Sequence, residues 1–289
     1  MRTFFRLSIF IAVAFFSSHL MGEASFVSFD ASMRRNYNMK EKYYKKNPTW
    51  HFYKALYQTY TLCPHTSTTY LIPQKIHFIW LGSPLPDSCK KMIDTWKKFH
   101  PAPLWEVKVW QDSDVAAFKL QNQLAFERAK NYGEKSDIFR YEILYRFGGL
   151  YVDTDFECLA PFDSLHQNTE FFAGLGYTKD PLLYNGLIGT KACHPILKLC
   201  MDTIVPGKGD HSAKRIMKAT GPWHFTRCFQ SLAGQFHGKA VPFPLTYFYA
   251  FPNNQRFEMT HPEIIKKTYL QPESMALHYW ATSWWKGEK

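Results

Sequence analysis

The 289-residue chain has no C-x-x-C pair, no H-E-x-x-H, no internal repeat and, beyond residue 24, no apolar run long enough to span a bilayer. Each absence removes a class. Without H-E-x-x-H, a zinc hydrolase lacks its helix-borne ligand pair and base. The six cysteines are widely spaced, which disfavours a zinc site. Buried thiols are the plainer reading, although an even count in an exported chain permits disulfides. No N-x-S/T sequon with an allowed middle residue occurs. Acidic groups are scarce, 24 Asp and Glu against 35 Lys and Arg, for a net charge of +11. That balance suits an anionic small ligand, an anionic membrane surface or nucleic acid. There is no zinc-finger spacing, no basic region with heptads and no single-strand-binding signature, so nucleic acid is set aside as a partner.

Apolar material is plentiful. Hydrophobic residues make up 46% and aromatic residues 18% of the chain, enough for a sizeable core and against disorder. At roughly 100–200 residues per domain, the length suits one large domain with an appendage. Arg2 and Arg6 precede the apolar run Leu7–Phe16, and Gly22-Glu23-Ala24 follows. Residues 1–24 therefore resemble a secretory signal peptide. The run is shorter than the ~20 residues of a membrane span, and an uncleaved membrane anchor is the alternative. Residues 25–68 are rich in Lys, Arg and Tyr, with Trp50 among them, and read as a helical stem. Its other reading is contact with a membrane surface. Residues 69–289 form the expected catalytic domain.

Within that domain, Lys75–Trp80 reads as a buried strand ended by Gly82-Ser83-Pro84. Lys90–Phe99 has helical spacing, Trp105–Trp110 alternates as a strand, and Asp112, Ser113 and Asp114 offer N-caps for a helix through Leu120. A helix is expected from Ser136 to Phe147, ended by Gly148-Gly149. Leu150–Val152 then forms a short buried strand carrying Asp153-Thr154-Asp155 at its end. Strand and helix in alternation predict an α/β fold.

On the Ser136–Phe147 helix, Asp137, Arg140, Tyr141 and Leu144 share one face. Arg140 could pair there with Asp137 or Glu142. Alternation along an extended chain places Asp153 and Asp155 on one side. Two carboxylates so close repel unless a cation lies between them. Mg2+ or Mn2+ suits such oxygen ligands and commonly takes carboxylates together with substrate phosphates. A bare D-x-D recurs by chance. Its setting, between an Asp/Arg helix and a buried strand, makes it informative.

The segment Ser136–Asp155 resembles the D-x-D region of glycosyltransferase family 32, typified by initiating mannosyltransferases and capsular polysaccharide transferases. It is also similar to the catalytic domains of large clostridial glucosylating toxins. Ile72–Trp80 resembles the family's opening strand. Asn185-Gly186, His194–Leu197 and Thr220-Gly221-Pro222 follow in the family's order, so the resemblance runs from about Tyr70 to Trp285. It implies a GT-A fold, a mostly parallel twisted sheet flanked by helices, and transfer with retention of configuration. It implies a nucleotide-diphosphate sugar as donor and a glycan, lipid or protein as acceptor. Trp80 would stack on the base, unless it is simply core. Asp137, Arg140 and Asn185 would hold the donor, Asp153 the ribose or sugar, directly or through the metal, and Asp155 would be the main metal ligand with Asp153 beside it. His278 is a third candidate metal ligand, and Ser283 and Trp285 would close over the diphosphate.

Two rivals fit less well. A phosphatase with a nucleophilic first Asp would open its domain with that motif and would not place Phe156 after it. An exported carbohydrate-binding or adhesion module fits the leader and the aromatics but leaves Asp137, Arg140, Asp153 and Asp155 without a task.

Overall fold

The computed structural model describes residues 26–35, 44–177, 180–207 and 212–281. The expected leader, Ser283 and Trp285 lie outside the described residues. No helix among the described residues is long and apolar enough to cross a membrane. The core is a six-stranded sheet in the order β2-β1-β3-β6-β5-β7. Its strands are β1 (Lys75–Ile79), β2 (Glu106–Trp110), β3 (Gly149–Val152), β5 (Phe171–Tyr177), β6 (Pro181–Thr190) and β7 (Ala240–Phe243). β1 pairs in parallel with β2 and β3, and β5 with β7. β6 runs antiparallel to both neighbours, β3 and β5. The sheet is thus mostly parallel and flanked by helices, as expected. A second ribbon pairs β4 (Phe156–Cys158) with β8 (Ala276–His278).

Local chemistry moves several element ends. The Tyr132–Phe147 helix starts four residues before Ser136, because the Asn131 side chain accepts from the Gly133 and Glu134 amides at 2.6 and 3.4 Å. Ser136 is interior. The helix stops at Gly148 (φ +62°), and Gly149 follows at φ +98°. A Cβ on Gly149 would also lie 2.6 Å from the Lys75 carbonyl oxygen, so only glycine lets β3 close against β1 there. The Asp112–Ala117 helix is capped by Gln111 in a reciprocal box with Asp114, and Phe118 leaves it in extended geometry. Phe118 instead packs edge-on against Trp110 and Phe139.

Residues of the expected stem are part of the core. Phe29, Trp50, Tyr53, Tyr57 and Tyr60 are buried. The Ser32 hydroxyl bonds to that of Thr246 at 2.6 Å, and Tyr57 to Tyr247 at 3.0 Å. All six cysteines are free thiols, with Cys158, Cys200 and Cys228 buried.

Among the described residues, burial disfavours the charged form of His77, His100, His166 and His194. His77 Nε2 donates to the Gly148 carbonyl (2.9 Å) while Nδ1 accepts from Trp110 Nε1 (3.2 Å), which fixes its tautomer. Burial lowers His77 to about 4, and His166 and His194 to about 3, from the ordinary 6.5. The unfolded chain therefore binds more protons than the folded one below pH 6.5. Their contribution is complete above that pH and is lost as pH falls towards the folded values. The thermal midpoint should drop steadily between pH 7 and about 4.5. A flat profile across that range would contradict the buried neutral assignment.

Candidate functional site

Two parallel strands, β1 and β3, end on the same edge of the sheet. β1 delivers Trp80, half-buried, with its indole N–H donating to Ser83 at 3.1 Å. β3 delivers Asp153-Thr154-Asp155, which sits in a turn beyond the strand and not along it. The turn, not strand alternation, brings the two carboxylates together. The Asp153 amide donates to the Gly186 carbonyl of β6 at 2.8 Å, extending the ladder and placing Asn185 beside the pair.

Asp137 and Arg140 lie one helical turn apart and both are buried. Arg140 Nη2 meets Asp137 Oδ1 at 3.2 Å and Nη1 meets Asp153 Oδ1 at 3.4 Å. Nη1 also donates to the Asn185 carbonyl at 2.6 Å, Nε to the Ser136 carbonyl at 3.1 Å, and the group lies 4.4 Å from the Tyr151 ring centre. Glu142 is not its partner. That carboxylate accepts from the Gln121 and Asn122 amides instead. Asp137 accepts from Asn185 Nδ2 (2.8 Å) and from the Thr220 hydroxyl (3.1 Å). Burial lifts its pKa to about 6, with the Arg140 charge working in the other direction. Burial likewise raises Asp153, against the pull of Arg140, and the neighbouring Asp155 adds to the rise. Burial opposes ionisation of Asp155 too, but His278 and the Ala281 amide hold it below its ordinary value.

His278 comes from 123 residues further along the chain. The β4/β8 ribbon brings it in, since Phe156 pairs with His278 directly after the D-x-D turn. The rings stack at 4.3 Å, and His278 Nε2 lies 2.9 Å from Asp155 Oδ1. Asp155 Oδ2 accepts the Ala281 amide at 2.7 Å. Asp153, Asp155 and His278 each offer a ligand atom, all within 4.8 Å of one another. His278 Nδ1 is buried without a partner. Two carboxylates and an imidazole suit Mn2+ or Mg2+, and the set fits a divalent ion.

These groups face one cavity of about 520 Å3, within the usual range of small-molecule sites. Trp80, Asp137, Arg140, Asp153, Asp155, Asn185 and His278 all line it. Sequence reading missed Tyr151, Tyr249 and Trp280. Tyr151 donates to Asp153 Oδ1 at 2.7 Å. The Tyr249 hydroxyl is buried at the cavity without a partner. Trp280, at φ +56°, covers His278 with ring centres 4.0 Å apart. A left-handed conformation at a bulky residue costs about 1–3 kcal/mol and persists where its surroundings impose it. Only the place of Tyr151 in the motif was a local signal. The other two arrive from distant loops. His194, in a segment resembling the family, instead caps the Pro195–Asp202 helix through Nδ1.

A paired acid at the end of a buried parallel strand, backed by an Asp–Arg helix and opening on a ligand-sized cavity, defines a D-x-D site on an α/β sheet. Residues 86–172 match the family described as "Glycosyltransferase sugar-binding region containing DXD motif". That stretch contains Asp137, Arg140, Asp153 and Asp155, and the resemblance read from the sequence holds there. The chain is 29% identical over 133 residues to "Inositol phosphoceramide mannosyltransferase 1" of Schizosaccharomyces pombe, covering 40% of this chain and 42% of that protein. It is 27% identical over 176 residues to "Subversion of eukaryotic traffic protein A" of Legionella pneumophila, covering 51% of this chain and 25% of that protein. The chain thus spans less than half the length of either relative. The solved structure titled "PaToxG Glycosyltransferase" aligns at 20% identity and a TM-score of 0.47, over 64% of this chain and 76% of that one.

Gly186 packs against Asp153. A Cβ there would lie 2.6 Å from Asp153 Oδ2. Gly186→Ala should displace that carboxylate and weaken Mn2+ binding by roughly tenfold, about 1.4 kcal/mol. Titration calorimetry reads this directly, and unchanged affinity would separate Asp153 from the metal site.

Proposed function

We propose that this chain is a divalent-metal-dependent glycosyltransferase that moves a hexose from a UDP- or GDP-linked donor to a glycan, lipid or protein acceptor. The observation that carries the reading is the convergence of Asp153, Asp155 and His278 with the Asp137–Arg140 pair on one cavity. Asp155, Asp153 and His278 would hold Mn2+ or Mg2+. When bound, the ion stabilises negative charge on a departing diphosphate as a Lewis acid, an effect worth several kcal/mol.

The protein groups have separable tasks. Trp80, half-buried at the rim, offers a face for the base. Asp137 is an acceptor-rich group for sugar hydroxyls, and its orientation is set by Asn185, Thr220 and Arg140. Arg140 fixes Asp153 and supplies positive potential at the cavity floor. The unpartnered Tyr249 hydroxyl is left to meet a ligand. Transfer with retention rests on the resemblance, and the residues named here include no covalent nucleophile. Ser283 and Trp285 are proposed to close over the diphosphate. Residues 1–24 are proposed to direct the chain into the secretory pathway, cleaved or retained as an anchor at the membrane.

The test is a screen of nucleotide sugars against the metal-stripped full chain, with and without Mn2+, reading released nucleotide diphosphate. Release from one donor should require Mn2+ and fall about a hundredfold or more in Asp155→Asn, at ~1.4 kcal/mol per decade. Equal turnover by Asp155→Asn would remove the metal assignment. Release from no donor, with no stabilisation by UDP or GDP plus Mn2+, would make a carbohydrate-binding module the better reading.

A further inference from the structure

Behind the cavity wall, a second group of ligand-type side chains meets, and the proposed transfer chemistry uses none of them. Cys200 lies near the end of the Pro195–Asp202 helix. His224 and Cys228 stand at i and i+4 on the Pro222–Leu232 helix, on one face of it. The two helices pack together. The two sulfurs and a His224 ring nitrogen all lie within 4.8 Å of one another. All three side chains are buried, at 0%, 2% and 5% exposure.

The Cys228 sulfur has only long contacts, whereas the His224 ring keeps an ordinary hydrogen bond that metal binding would replace. Cys228 Sγ is 3.9 Å from His224 Nε2 and 3.7 Å from the Thr203 hydroxyl. His224 Nε2 is 2.9 Å from the Cys200 carbonyl oxygen. The environment nevertheless favours charge on one sulfur. The Cys200 thiol, with His224, lowers Cys228 to about 5 against the effect of burial. Burial opposes protonation of His224, but Cys228 raises it on balance. A thiolate is the form of cysteine that binds metal.

We propose that Cys200, His224 and Cys228 form a structural site for Zn2+. Two thiolates and an imidazole are the donors zinc favours, and two thiolates cancel its charge in a buried space. Tetrahedral bonds of about 2.3 Å to sulfur and 2.0 Å to nitrogen put the ligand atoms roughly 3.5–3.8 Å apart, so the group needs little movement to close. The Cys200 carbonyl and the Thr203 hydroxyl are the oxygens nearest to hand for a fourth position. Binding releases the protons held by the thiol–imidazole group to solvent, with no change of oxidation state. The ion would also brace the sugar site. Thr220, two residues before the zinc-bearing helix, holds Asp137, and Tyr141 beside His224 donates to the Thr220 carbonyl at 2.6 Å. The oxygen-rich D-x-D site prefers a harder ion, so the two sites sort different metals.

The test uses the full chain without a histidine tag. Metal analysis should find about one zinc per chain in the wild type and in Asp155→Asn, and little in Cys228→Ser. In the zinc-free wild type, added Co2+ should give a near-ultraviolet thiolate-to-cobalt charge-transfer band, which carboxylate ligands do not produce. That band keeps the test open if Cys228→Ser fails to fold. Absence of the band in folded wild type, or equal zinc in Cys228→Ser, would overturn the proposal. So would a Cys200–Cys228 disulfide, seen as two missing thiols on titration of the unfolded chain.

Discussion

The Arg140 guanidinium stands where the Tyr132–Phe147 helix, the end of β3 and the middle of β6 come within hydrogen-bonding distance of one another. It touches the Ser136 carbonyl of its own helix, the Asn185 carbonyl of β6 and the Asp137 and Asp153 carboxylates. Its charge is 4% exposed. Removing an ion from water costs several kcal/mol even after relaxation, so such a group survives only when its neighbours are fixed around it. Loss of one partner from a buried pair typically costs about 3–5 kcal/mol, because the remaining charge is stranded. The relative placement of these three elements therefore follows from satisfying one cation.

That constraint reaches the acidic turn. Arg140 and the Tyr151 hydroxyl both meet Asp153 Oδ1, which leaves Oδ2 beside Gly186. The second half of the turn is fixed from the other end of the chain, by the β4/β8 ribbon that lays His278 on Asp155. Asp153 is thus oriented from the helix side and Asp155 from the C-terminal side. The electrostatics follow this division: burial dominates at Asp153 and raises it, whereas hydrogen bonds and the His278 contact win at Asp155 and lower it.

What was legible in the sequence was local. The Asp/Arg helix, the glycine pair and the D-x-D turn lie within about twenty residues of one another, where helical spacing and chain reversal decide what meets. The start of that helix was misplaced because Asn131 precedes Tyr132-Gly133, which carries little helical pattern, and a single side chain sets the boundary. The features that were not legible join distant parts of the chain. Tyr249 and Trp280 enter the cavity from loops, and Trp280 does so in a strained conformation that no propensity favours. Cys200 meets His224 and Cys228 only through helix packing, so a search for short cysteine spacings passes over them. Tyr57 and Tyr60 read as part of a solvated stem because the partners they pack against, Phe243 and Tyr247, lie more than 180 residues away.

The proposed function requires a cation held by Asp153, Asp155 and His278 in the presence of a nucleotide diphosphate. Anomalous diffraction from crystals grown with Mn2+ and UDP or GDP locates that ion directly. A manganese peak among those three side chains, with diphosphate oxygens completing its shell, is the predicted result. Nucleotide bound in the cavity with no anomalous peak at these residues would contradict it.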